Sequence, residues 1–282
     1  MFYLYIMTLN SRNRILIFIN VITILFFLSN VLFYIFYAAR NLITFPEGDI
    51  VRNVYIFSFD RFTSPDITPT CLSILVFSFS AAIESFLLLR IFEKTQALEV
   101  VFFIVFIIAI FMEQQRLYLA SMPDIQGNRF SLEVITRLTV SSRILAPLSL
   151  LFSTVFNEWD QRQNILRNVL ILVLISTIMG VFYPLNTEIR TSILTLGWGF
   201  SPILSAVRVI LVLASLTVPA WNAFSKGSSD YIRVMIGLLI LSTGYFILCG
   251  SDNYISFISG SAFFAFGNVF YMSALHNLYK WR

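Results

Sequence analysis

Charge is what this sequence has least of. Only 12% of its 282 residues are Asp, Glu, Lys or Arg, one is His and two are Cys. The single histidine, His276, has no ligand partner at a useful spacing, which argues against paired-histidine haem sites and zinc centres. Cys71 and Cys249 make neither a metal spacing nor a disulfide framework. They fall at the same expected membrane face and are read as inert buried thiols. There is no Walker-type loop, and all seven aspartates fall outside the apolar segments, which leaves no acidic cluster for Mg²⁺. The "GSA" around Ser261 is a poor nucleophile motif. No metal and no cofactor are expected, and an enzyme is the least supported functional class.

What is present in excess is apolar surface. A chain that is 58% hydrophobic with 30 Phe carries more than one soluble core could bury, so it is expected to be an integral membrane protein. Runs such as "VVFFIVFIIAIFM" do not alternate, which favours helices over a barrel. A bilayer core about 30 Å thick needs about 20 helical residues. Eight such segments occur, at about 15–39, 69–90, 98–119, 133–156, 165–185, 192–220, 231–250 and 254–276. The first follows Arg12 and Arg14 as a signal peptide would. It is longer than the roughly 7–15 apolar residues of such a peptide, so it is read as a retained helix.

The expected fold is an all-α polytopic bundle forming one integral membrane domain over 1–282, with an outer loop at about 40–68. Even crossings put both termini on one side. That side carries Arg12, Arg14, Arg90, Lys94, Arg162, Arg167, Lys226, Arg233, Lys280 and Arg282, against Arg40, Arg52, Arg61, Arg129 and Arg190 opposite. Positive loops stay cytoplasmic, so both termini are expected inside, in a bacterial-type inner membrane. The net charge of +4 sits mostly in these loops, which gives no case for nucleic acid. In the outer loop "DIVRNVYIFSF" has an amphipathic pattern suited to the interface, and Thr68 is a candidate N-cap for the second segment.

Small residues suggest how helices pack. Gly237 and Gly244 lie seven apart, and Gly260, Gly267 and Ala274 repeat that spacing, so each set lines a stripe where another backbone can approach. In the sixth segment, "LGWGFSP" places Gly197, Gly199 and Pro202 together, which predicts a kinked or partly unwound helix.

Charges within the apolar segments are the functional candidates. The 13 uncharged residues between Glu99 and Glu113 span only about 20 Å of helix, too short to cross. Glu113 and Arg116 should therefore lie within the outer leaflet. The fourth segment has the same shortage and draws in Arg143 and Arg137. Glu113, Arg116, Arg137 and Arg143 are thus expected to form an outward-facing polar vestibule that binds an anion, since the arginine fork suits carboxylate or phosphate. The plainer alternative is arginines reaching lipid phosphate. Glu84 and Arg208 are expected at similar depth, which predicts an intramembrane ion pair.

The expected function is binding or transport of a small anionic solute. The alternative is a sensory or assembly module signalling to a membrane or cytoplasmic protein partner. The layout resembles membrane sensor modules of bacterial signalling proteins and small solute carriers in topology alone.

Overall fold

A computed structural model describes residues 9–40, 64–93, 97–122, 127–155 and 165–280. The expected interfacial segment in the loop at about 40–68 lies mostly outside these residues. In chain order the elements are α1 (Leu9–Ala39), α2 (Ile67–Phe92), α3 (Leu98–Glu113), α4 (Arg116–Leu119), α5 (Arg129–Val155) and α6 (Ile165–Phe182). A hairpin follows, β1 (Leu185–Arg190) and β2 (Leu196–Trp198), and then α7 (Ser201–Lys226), α8 (Ser229–Cys249) and α9 (Tyr254–Lys280). With α3 and α4 taken together, eight of these helical stretches are long and apolar enough to cross a membrane.

Polarity decides which helices sit at the centre. α5 carries Thr136, Thr139, Ser142, Arg143, Ser149 and Ser153, all buried, because such groups are costly against lipid and must face protein. Within the most apolar stretch of each span, 78% of α5 and 72% of α3–α4 is buried, against 17% for α1 and 22% for α6. The peripheral helices instead turn large apolar side chains outward, such as Phe18, Leu32, Leu170 and Phe182.

α1 is held by a row of polar side chains. Asn20 donates to Ala82 O (3.1 Å) and Ser85 Oγ (2.9 Å), while Asn30 donates to Ser78 Oγ (3.3 Å) and Gln114 Oε1 (2.8 Å). Nearer its start Arg12 is buried and donates to Phe92 O at 2.6 Å. Interhelical hydrogen bonds of this kind replace the hydrophobic driving force that lipid does not supply.

The expected glycine stripes meet. A Cβ on Gly267 would stand 2.5 Å from the backbone of Leu241, and one on Gly244 would collide with the backbone of Phe264. α8 and α9 are therefore antiparallel neighbours packed almost backbone to backbone. The N-cap of α2 is Asp66 rather than Thr68: the Asp66 side chain accepts from Thr68 N at 3.0 Å. Asp66 has extended backbone and its carboxylate reaches the free N–H two residues on, whereas Thr68 already lies inside the first turn.

The sixth segment is the principal departure from the sequence reading. Residues 192–200 are not helical, and no kink lies at Gly197, Gly199 and Pro202. Gly197 pairs with Asn186 in the antiparallel hairpin, Gly199 N donates to Pro184 O at 3.0 Å, and Pro202 falls in the first turn of α7. A helix's first N–H groups have no partner in any case, so proline costs little there. The internal prolines are Pro147 in α5 and Pro219 in α7.

The hairpin tip is pushed into the end of the bundle. Ser192, Leu194, Thr195 and Leu196 are all buried, and Leu194 packs in an apolar cluster with Cys71, Ile74, Leu117 and Leu132. Leu194 adopts φ +59°, a left-handed conformation that costs roughly 1–2 kcal/mol for a non-glycine residue. Burial of its side chain offsets that strain. Strand backbone at this depth also needs partners from protein. Thr70 donates to Ser192 O (3.3 Å), Leu196 N to Thr136 Oγ1 (3.1 Å) and Arg116 to Ile193 O (3.1 Å).

Candidate functional site

Glu113 ends α3 and is fully buried. Arg143 Nε donates to its Oε1 at 2.9 Å, Ser142 Oγ donates to the same oxygen at 3.0 Å, and Arg116 Nε lies 2.8 Å from Oε2 as a charge pair. Three of the four expected vestibule residues, Glu113, Arg116 and Arg143, therefore converge. Gln114 and Gln115 keep helical dihedrals, with the amides of Gln114, Leu117 and Tyr118 bonded three residues back, and in this tightened turn Glu113 and Arg116, three residues apart, share a face. Gln114 faces another way, with Oε1 accepting from Asn30 and from Ser78 at 3.0 Å.

Arg137 does not join them. It pairs with Glu133 at 2.7 Å on a partly exposed face and donates to the carbonyls of Val181 and Tyr183, so it holds the C-terminal end of α6. Free carbonyls and the negative end of the helix dipole explain a cation there.

Glu84 and Arg208 do not pair either. α7 begins at Ser201, so Arg208 is seven residues into its helix, whereas Glu84 is seventeen residues into α2. At 1.5 Å per residue the two depths are about 10 Å and about 25 Å below the hairpin end. Both Glu84 oxygens are buried with no hydrogen-bond partner. The Arg208 guanidinium instead lies over the Phe246 ring at 4.4 Å.

Arg208 opens on a cavity of about 480 Å³ between the hairpin, α7 and α8. Arg143 forms part of its wall, sandwiched between Glu113 and the Trp198 ring at 4.8 Å and donating to Cys249 O at 2.7 Å. Hydroxyls of Thr191, Ser192, Ser201 and Ser205 line the rest, with apolar surface from Ile189, Ile193 and Phe246. Among the described residues no carboxylate contributes to the lining. Arg208 is 8% exposed, and its Nε and Nη2 have no hydrogen-bond partner; nor has the buried Trp198 Nε1.

Of the residues expected to bind an anion, Glu113, Arg116, Arg137 and Arg143, only Arg143 lines this cavity, and Trp198, Ser201, Ser205 and Phe246 were not expected there. The available signal was the alternation in "NTEIR", whose residues alternate in exposure along β1. The sequence reading also missed Arg190, which is buried and donates to Met122 O (2.7 Å) and Leu119 O. Burial pulls this guanidinium down to about 10, so it remains charged at neutral pH. Among the described residues no group of three or more His, Cys, Asp or Glu could hold a metal, and both cysteines are free thiols. No family model, no curated protein and no solved structure matches this chain significantly.

Proposed function

We propose that this protein binds a small anionic solute in the cavity beside Arg208 and carries it across a bacterial-type inner membrane. The observation that carries this reading is a guanidinium more than nine-tenths buried, facing a cavity without carboxylates, with two of its nitrogens unpartnered. A buried charge of this kind costs several kcal/mol unless a counter-charge is supplied, and among the described residues none supplies it, which supports a bound anion as the counter-charge. The start of α7 adds its partial positive charge through Ser201 and Ser205 at the cavity wall. Lysine and arginine crowd the end of the chain opposite the hairpin, which supports a cytoplasmic location for both termini and an outward-facing cavity.

The site differs from the sequence expectation in which arginine receives the ligand. Arg143 and Arg116 are engaged with Glu113, and of the two only Arg143 reaches the wall, while Arg208 has no carboxylate partner among the described residues. Uptake of labelled small carboxylates and phosphate into proteoliposomes tests the reading. Arg208→Gln should abolish saturable uptake while leaving the melting temperature within a few degrees of the parent. Uptake unchanged in Arg208→Gln would remove the cavity from the mechanism. Saturable binding without flux would assign a receptor that signals to a protein partner.

A further inference from the structure

The reading above leaves open how much charge the ligand carries, and the buried charges at the hairpin end bear on that. Three guanidiniums, Arg116, Arg143 and Arg208, are each at least nine-tenths buried, and one carboxylate, Glu113, serves two of them. Oε1 takes Arg143 Nε and Ser142, while Oε2 takes Arg143 Nη2 at 3.5 Å and faces Arg116 at 2.8 Å, so one negative charge is shared by two guanidiniums. Arg143 therefore keeps part of its charge on the wall that it shares with Arg208. Elsewhere at this end, buried Arg190 and buried Asp252 offset each other in sign. Among the described residues at this end, the buried guanidiniums Arg116, Arg143, Arg190 and Arg208 thus outnumber the buried carboxylates Glu113 and Asp252, with partly buried Asp66 nearby, which leaves a positive balance in a low-dielectric setting.

The donors without acceptors point into the same space. Arg208 offers Nε and Nη2, and Trp198, which lines the same cavity with its ring against Arg143, offers Nε1. A single acidic group could satisfy the fork of Arg208, which accepts two oxygens in a plane. It would leave the indole N–H and the residual charge of Arg143 unmet.

We propose, resting on the anion-binding reading of this cavity, that its ligand is a small doubly charged oxyanion held between Arg208 and the Arg143–Trp198 side. The volume of about 480 Å³ admits a short dicarboxylate or a small phosphate ester with room for water. Trp198 is a specificity-determining residue for the second charge, through its N–H and through its ring, which fixes Arg143.

Two matched probes test the charge. Succinate and monomethyl succinate share a carbon framework and differ by one negative charge at neutral pH. Calorimetry on the purified full chain in detergent should show succinate binding at least about tenfold tighter, the gain expected of one further charge-assisted hydrogen bond. Trp198→Phe keeps a ring over Arg143 and removes the N–H, and it should shrink that ratio without weakening the ester. Methyl phosphate, whose second proton leaves near pH 6, should bind more tightly as pH rises through that value. Equal affinity for succinate and its ester, both lost in Arg208→Gln, would overturn the dianion inference and leave anion binding standing. Binding of neither probe, with methyl phosphate also silent, would overturn both. Should Arg208→Gln fail to fold, Arg208→Lys, which keeps the charge and loses the fork, replaces it and must lower succinate affinity.

Discussion

Glu113 shows how one residue can be essential to structure without touching a ligand. Its carboxylate is the shared counter-ion of Arg116 and Arg143, at 2.8 and 2.9 Å, and Arg116 in turn anchors the hairpin tip through Ile193 O. Removing the carboxylate charge leaves two guanidiniums buried without a counter-ion, and breaking buried pairs of this kind costs about 3–5 kcal/mol. Glu113→Gln is therefore expected to lower the thermal midpoint in detergent strongly and to loosen the hairpin. The check is a melting curve together with proteolysis between β1 and β2. A Glu113→Gln protein as stable as the parent would show that Glu113 is not the keystone. Arg143→Gln should be milder, because Arg116 remains to balance Glu113. The importance of this cluster was legible from the sequence because helix length alone forces Glu113 inside. Arg116 and Arg143 were grouped with it from the sequence, whereas Arg137 was placed with them although it pairs with Glu133, four residues back on its own helix.

At the scale of elements, the long uniform helices were read correctly and the short irregular ones were not. Apolar runs of 18 residues or more admit one interpretation in a chain this poor in charge, so all eight spans were found. "RTSILTLGWGFSP" misled because Ile193, Leu194 and Leu196 are apolar for a different reason: they fill the end of the bundle as a hairpin tip. Composition cannot distinguish burial against protein from burial against lipid. The same cause produced the expected Glu84–Arg208 pair, whose depth was counted from the wrong helix start. Two substitutions separate these cases. Pro202→Ala should change stability by less than about 1 kcal/mol, because the proline sits in the first turn of α7 where its missing N–H is not needed. Gly267→Leu should destabilise α8–α9 by more than about 2 kcal/mol, since its side chain would meet the backbone of Leu241. Equilibrium unfolding in mixed micelles measures both. A gain of about 3 kcal/mol from Pro202→Ala would favour the kinked helix over the hairpin, because an interior proline costs about that much.

At the scale of the whole molecule, a cavity at one end has directional meaning only if that end faces a known side. The hairpin, the start of α7 and the loop joining α8 to α9 form one end, tied together by Ser192 Oγ donating to Asp252 Oδ2 at 2.7 Å and Asp66 N donating to Asp252 O at 2.8 Å. The loop between α7 and α8, at Gly227, lies at the other. The bias of lysine and arginine toward the second end predicts that it is cytoplasmic. Glu188 is exposed on β1, and the native Cys71 and Cys249 are buried, which leaves a low background for thiol labelling. In intact cells a membrane-impermeant maleimide should label Glu188→Cys and spare Gly227→Cys until the membrane is opened. The reverse pattern would turn the cavity toward the cytoplasm and make Arg208 part of an export or intracellular sensing site. Because every span alternates with its neighbour, these two positions fix the direction of all eight and, with it, whether the anion enters from outside.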